Sequence, residues 1–142
     1  MFTVGVRRVA LGTLVGGVVW SVWSTIINLM ILMPRYRFAQ DHHLLLSQPR
    51  YPLFVVYWFI TLFLLTYLLT WVYVSLRATL GPGPITALRV GLLIGFMIAF
   101  PLSLTLATWA PFGRSIVVGW MIDLWGGAIL ATFFSAWLYK ES

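Results

Sequence analysis

Cysteine is absent from all 142 residues, which removes disulfides, thiolate metal sites, cysteine nucleophiles and cysteine-attached haem from consideration. Charge is scarce as well. Charged residues make up 8% of the chain and only three are acidic, whereas soluble domains carry about 25% charged residues. The two histidines stand side by side, as His42-His43. A chain so poor in polar side chains cannot cover a water-facing surface. No paired acids, no histidine and no thiol fall inside its apolar runs, so no enzyme is expected.

What remains is apolar: 61% of residues are hydrophobic and 17% aromatic. The apolar residues fall into four runs, each as long as the ~20 residues needed to cross a bilayer. In lipid the backbone must satisfy its own hydrogen bonds, and continuous runs of this length do so as helices, whereas barrel strands would be shorter and would alternate. The expected fold is an all-α, up-down bundle of four transmembrane helices at about 9–33, 52–76, 88–109 and 115–139, joined by short loops into one domain over 1–142. Arg7 and Arg8 precede the first run as they would in a signal peptide. That run is too long for a signal-peptide core and no small-residue cleavage site follows it, so a retained helix is expected, ended by Met33-Pro34-Arg35-Tyr36-Arg37.

Orientation follows from the cations. Arg7, Arg8, Arg77, Arg89 and Lys140 gather at one side, and Arg35, Arg37, Arg50 and Arg114 at the other. Arg7 and Arg8 flank the first helix, which favours both termini in the cytoplasm, here of a bacterial inner membrane. The net charge of +6 is spread over both sides and forms no basic face, so nucleic acid is not an expected partner. The expected partners are the lipid bilayer and other transmembrane subunits or further copies of the chain. In the longest connection, residues 38–46 can form a turn or two of interfacial helix. Adjacent residues do not share a helix face, so His42-His43 reads as polar residues at the headgroup boundary and not as a metal pair.

Asp123 is the only acid in any of the four runs. It lies roughly 12 Å into a hydrocarbon core about 30 Å thick, where a carboxylate facing lipid costs roughly 2.5–3.5 kcal/mol. It shares an i,i+4 row of small residues with Gly119, Gly127, Ala131 and Ser135. Such rows let membrane helices approach closely. The first helix has its own row, Gly12, Gly16, Trp20, Ser24 and Asn28, and the third carries Gly91 and Gly95. Up-down threading places Asn28, Tyr57, Thr61, Thr105 and Thr108 at the depth of Asp123, with Asn28 the best candidate partner because it lies on a small, polar row. No Lys or Arg lies within a helical turn. Three readings stay open: a polar clasp between helices, a proton- or cation-coupled ion site, and a contact to another subunit.

Pro101 sits mid-helix in the third run, where it removes one hydrogen bond and favours a kink. Trp109, Trp137, Tyr139, Tyr36 and Tyr51 fall near the predicted water boundaries, as belt residues do. Trp20, Trp23, Trp58, Trp71, Trp120 and Trp125 lie deeper, where they can pack the bundle or contact a lipid or flat pigment. No cofactor is otherwise expected, because axial histidines are missing from the runs. Small multidrug-resistance transporters depend on a glutamate in their first helix, and this first run has no acid. Gly16-Gly17-Val18-Val19-Trp20, Asp123-Leu124-Trp125-Gly126-Gly127-Ala128 and Trp137-Leu138-Tyr139 resemble a loose group of uncharacterised small bacterial four-helix integral membrane proteins. The resemblance implies the fold and carries no activity. The expected role is that of a non-catalytic accessory subunit, with a small homo-oligomeric transporter or channel as the alternative.

Overall fold

The computed structural model describes residues 5–139. Long apolar runs with good helix formers and few breakers become four helices: α1 (Val6–Asp41), α2 (Phe54–Leu80), α3 (Pro84–Trp109) and α4 (Arg114–Leu138). All four are long and apolar enough to cross a membrane, and they form an all-α, up-down bundle. Gly5 N–H donates to the Tyr139 hydroxyl at 3.4 Å, so the described ends of the chain meet at one end of the bundle. Lys140, one of the orientation charges, lies outside the described residues.

Helix α4 is the hub. It packs on α1, α2 and α3, whereas the principal packing partners of α1 and α3 do not include each other. Its apolar segment is accordingly 44% buried, against 22–28% for the other three helices. Small residues explain why α4 takes this place. Gly119, Gly127, Ala128, Ala131, Ser135 and Ala136 are all buried, leaving room for three neighbours. A Cβ on Gly91 of α3 would stand 2.7 Å from the Cα of Ile129, and one on Gly95 would stand 2.8 Å from Trp125 Cδ1 and 3.1 Å from Ala128 Cβ. Close packing of this kind is what joins helices in lipid, where burial of apolar surface supplies no drive.

The expected end of the first helix at Met33 is corrected: α1 continues through Pro34 to Asp41. The reason is a π-helical turn at Asn28–Leu32, in which the Met33 N–H reaches back to the Asn28 carbonyl. The hydrogen-bond ladder is therefore already rerouted just before the proline, whose missing N–H would otherwise break it. Arg35 Nη1 donates to the Ile31 carbonyl at 2.9 Å. The overshoot builds a second small core of Ile27, Leu32, Ala39 and Ile116, flanked by Tyr36, Phe112 and Trp120.

The interfacial helix expected at 38–46 is corrected in the same way, since its first residues belong to α1. The segment ends in a Schellman cap. Leu44 N–H bonds the Ala39 carbonyl at 2.7 Å and His43 N–H bonds the Gln40 carbonyl at 3.1 Å. His43 takes the left-handed position with φ 56°, and the His42 ring stacks on Phe38 at 4.1 Å. The histidine pair thus closes a helix end. Among the described residues no group of three His, Cys, Asp or Glu side chains is placed to hold a metal. Pro101 sits on the exposed side of α3, inside a helix that runs unbroken past it.

Candidate functional site around Asp123

The small-residue rows of α1 and α4 meet in antiparallel register. A Cβ on Gly12 would stand 2.7 Å from Ser135 Oγ, and one on Gly16 would stand 2.7 Å from the Ala131 carbonyl oxygen. One on Gly127 would enter the Trp20 indole, and one on Gly119 would enter the Leu32 side chain. The pairs therefore run Gly12 with Ser135, Gly16 with Ala131, Trp20 with Gly127, and Ser24 with Asp123. The one large residue of the α1 row falls opposite a glycine of α4, which is why this register and no neighbouring one packs.

A row spaced at i,i+4 drifts around an α-helix by about 40° per step, so a long row cannot stay on a straight seam. Both helices correct the drift at the same level. α1 has its π turn at Asn28–Leu32 and α4 has one at Ile122–Gly126. A π turn holds more residues per turn than an α turn, so it rotates the row back toward its partner. Asp123 lies within one of these turns and Asn28 opens the other.

Asp123 is 1% exposed. Its Oδ2 accepts from Ser24 Oγ at 2.7 Å and from Asn28 Nδ2 at 3.2 Å. Ser24 Oγ in turn accepts from Trp58 Nε1 of α2 at 2.9 Å. Asn28 Nδ2 also donates to the Ser24 carbonyl at 2.8 Å, which fixes its amide, and Asn28 Oδ1 accepts from the Tyr36 hydroxyl at 3.0 Å. Trp120 Nε1 donates to the same hydroxyl at 2.6 Å. One polar network thus ties α1, α2 and α4 together from Trp58 through Asp123 to Trp120. The second carboxyl oxygen, Oδ1, is buried without a hydrogen-bond partner among the described residues, as is Trp20 Nε1.

The other residues expected around Asp123 lie elsewhere. Tyr57 is 54% exposed. Thr61 and Thr105 are exposed, and their hydroxyls donate to the carbonyls of Tyr57 and Pro101 in the preceding turn, at 2.7 and 3.0 Å. Thr108 does the same to Leu104. Threonine on a helix satisfies its own hydroxyl this way, so it can face lipid without a partner. These residues share the depth of Asp123 but point away from it. Ser24, Trp58, Tyr36 and Trp120 take their places. Register was the available signal for Ser24: sliding the two rows until Trp20 meets Gly127 puts Ser24 opposite Asp123.

The deeper tryptophans are held by the protein as well. Trp23 Nε1 donates to the Ile122 carbonyl at 3.2 Å and Trp125 Nε1 to the Leu92 carbonyl at 3.1 Å. Both bonds cap backbone groups at or near packed seams, which makes these rings packing elements. Trp71 is the exception, half exposed on α2. Compared with protein-family models, curated proteins and solved structures, the chain matches none. The functional reading therefore rests on the geometry of the bundle itself.

Proposed function

We propose that this multi-pass protein is a non-catalytic structural or accessory component of a membrane assembly, and that Asp123 serves as its internal clasp. The observation that carries the reading is the commitment of Asp123 Oδ2 to two neutral donors on α1, in the middle of a seam whose every step is packed. A carboxyl tied into a three-helix network, with no second carboxyl beside it among the described residues, is organised to hold helices in place. The network spans three helices, so its loss would loosen the whole bundle. In this reading the protein sits in the bacterial cytoplasmic membrane with both termini on the cytoplasmic side. Its lipid-facing sides meet other transmembrane subunits. One such side has a mostly apolar groove of about 460 Å³ between α1 and α2, lined by Val18, Ser21, Val22, Thr25 and Ile26 of α1 and by Phe59 and Phe63 of α2.

The buried Oδ1 favours a second reading, in which a copy of the chain carries protons or cations past Asp123. Native mass spectrometry of the assembly extracted gently from its own membrane separates the two. Stoichiometric partner chains support the accessory role. A homo-oligomer, or a monomer without partners, contradicts it.

A further inference from the structure

Six tyrosines lie in the chain, and five have their hydroxyls provided for. Tyr36 donates to Asn28 Oδ1, while Tyr73 accepts from the Gly83 N–H at 3.2 Å and Tyr139 from the Gly5 N–H at 3.4 Å. Tyr51 and Tyr57 stand just before and within the first turn of α2, near the water boundary. Tyr67 is different. It is the central residue of the 27-residue helix α2, roughly 20 Å from either end, and it is 45% exposed. Its hydroxyl has no hydrogen-bond partner among the described residues, and from that depth it reaches neither water nor the headgroups. One turn on, Trp71 is half exposed and its Nε1 is likewise without an acceptor among the described residues. Thr61 and Ser75 of the same helix satisfy themselves on the Tyr57 and Trp71 carbonyls, at 2.7 and 2.9 Å. A rigid ring carries its polar atom away from its own backbone, so Tyr67 and Trp71 need an acceptor from outside the bundle.

Phe59, Phe63, Tyr67 and Trp71 follow one another at i,i+4 along α2. Phe59 and Phe63 are also the α2 wall of the groove against α1, so the groove and the two stranded donors form one continuous face. A ridge at this spacing inclines across its helix, and a crossing helix packs along it. Whatever covers the face must bring an acceptor to mid-span. Lipid tails bring none. A second copy brings the same donors: two tyrosine hydroxyls meeting on a twofold axis make one hydrogen bond and leave the other proton unmet, and an indole N–H only donates. A side-chain carbonyl oxygen has two lone pairs and can accept from Tyr67 and Trp71 together.

We infer that a transmembrane helix of a different subunit docks on this face of α2 and sets a side-chain carbonyl or carboxyl oxygen, from Asn, Gln, Asp or Glu, against Tyr67 and Trp71. The docking site presupposes the accessory role proposed above. The test places the photocrosslinker p-benzoylphenylalanine at Leu64, exposed on the same helix, or at Leu93, exposed on α3, in the full chain within its native membrane. Crosslinked peptides are then sequenced. Leu64 should capture a transmembrane segment of another protein that carries one of those four residues near its midpoint, and Leu93 should not. Tyr67→Phe should weaken that crosslink about threefold, the loss of one interhelical hydrogen bond in a membrane, and Tyr67→Phe with Trp71→Phe about tenfold. The unfolding midpoint of the isolated chain should not change, and Thr61→Val should leave the crosslink intact. If the double variant does not fold, Tyr67→Phe alone carries the comparison. A partner subunit captured only from Leu93, or a Leu64 crosslink that survives in folded Tyr67→Phe, overturns the docking site and leaves the accessory role standing. Capture of lipid alone or of a second copy from Leu64 also overturns the docking site. Native mass spectrometry without any partner chain removes the accessory role itself, and the docking site with it.

Discussion

Gly16→Ala is the sharpest probe of the α1–α4 seam, because a single methyl group there has nowhere to go. Its Cβ would stand 2.7 Å from the Ala131 carbonyl oxygen, 2.7 Å from Thr66 Cγ2 and 3.3 Å from Ser135 Cβ. Thr66 and Ala131 are both fully buried, so neither neighbour can swing outward. Ordinary contact requires roughly 3.4 Å or more, so the helices must separate by about half an ångström or more, which loses dispersion contacts along the seam. Overpacking of this kind costs about 1–3 kcal/mol. The gain in helix propensity from Gly to Ala opposes it by at most about 1 kcal/mol. A net loss of about 1–2 kcal/mol is expected. Reversible unfolding by sodium dodecyl sulfate from mild micelles, followed by tryptophan fluorescence, measures it. Gly113→Ala is the steric control: its Cβ would meet nothing nearer than 3.9 Å, so its cost should be only the roughly 0.5–1 kcal/mol of replacing an N-cap glycine by alanine, with no separation of the helices. Gly16→Ala combined with Thr66→Ser removes one of the two clashing atoms and should recover part of the loss. A Gly16→Ala protein as stable as the wild type would refute the register.

Further outcomes follow from the same geometry. Ser24→Ala removes a donor to Asp123 and the acceptor of Trp58 Nε1, and should cost about 1–3 kcal/mol in the same unfolding assay. Tyr36→Phe unties Trp120 Nε1 and Asn28 Oδ1, at about 1 kcal/mol, and should shift tryptophan emission. His43→Gly relieves a left-handed backbone at a helix cap and should stabilise the protein by about 0.5–1 kcal/mol, read as a higher unfolding midpoint. Thr61→Val and Thr105→Val remove hydroxyls that bond only their own helices, and each should change stability by less than about 0.5 kcal/mol.

Depth was legible in the sequence and rotation was not. The four helices, the buried rows and the place of Asn28 beside Asp123 all follow from apolar length and i,i+4 spacing, which depend on one helix at a time. Tyr57, Thr61 and Thr105 show the limit: they share the level of Asp123, but which way a residue faces depends on how its helix is turned against its neighbours. Pro34 shows another. Proline usually ends a helix, and only the π turn before it, which has no sequence signature of its own, lets α1 run on to Asp41. That extension brings Tyr36 to Asn28, so one unpredicted turn accounts for the outer half of the network. The pairing of Trp20 with Gly127 was partly readable, because only Gly119 and Gly127 of the α4 row leave room for the bulky residue, and Gly127 is the one that also sets Gly12 and Gly16 against Ser135 and Ala131.

Asp123→Asn tests the central claim most directly, since the amide keeps the shape and the oxygen acceptor of the carboxyl while losing its ability to ionise. Purified wild type and variant would be reconstituted into liposomes, with folding checked by circular dichroism and ion flux followed under an imposed pH gradient. A clasp predicts a folded variant within about 1 kcal/mol of the wild type and no gradient-driven flux from either protein, with Asp123→Ala the more damaging change because it strands the Ser24 and Asn28 donors. Gradient-driven flux in the wild type that disappears in a fully folded Asp123→Asn protein would contradict the account.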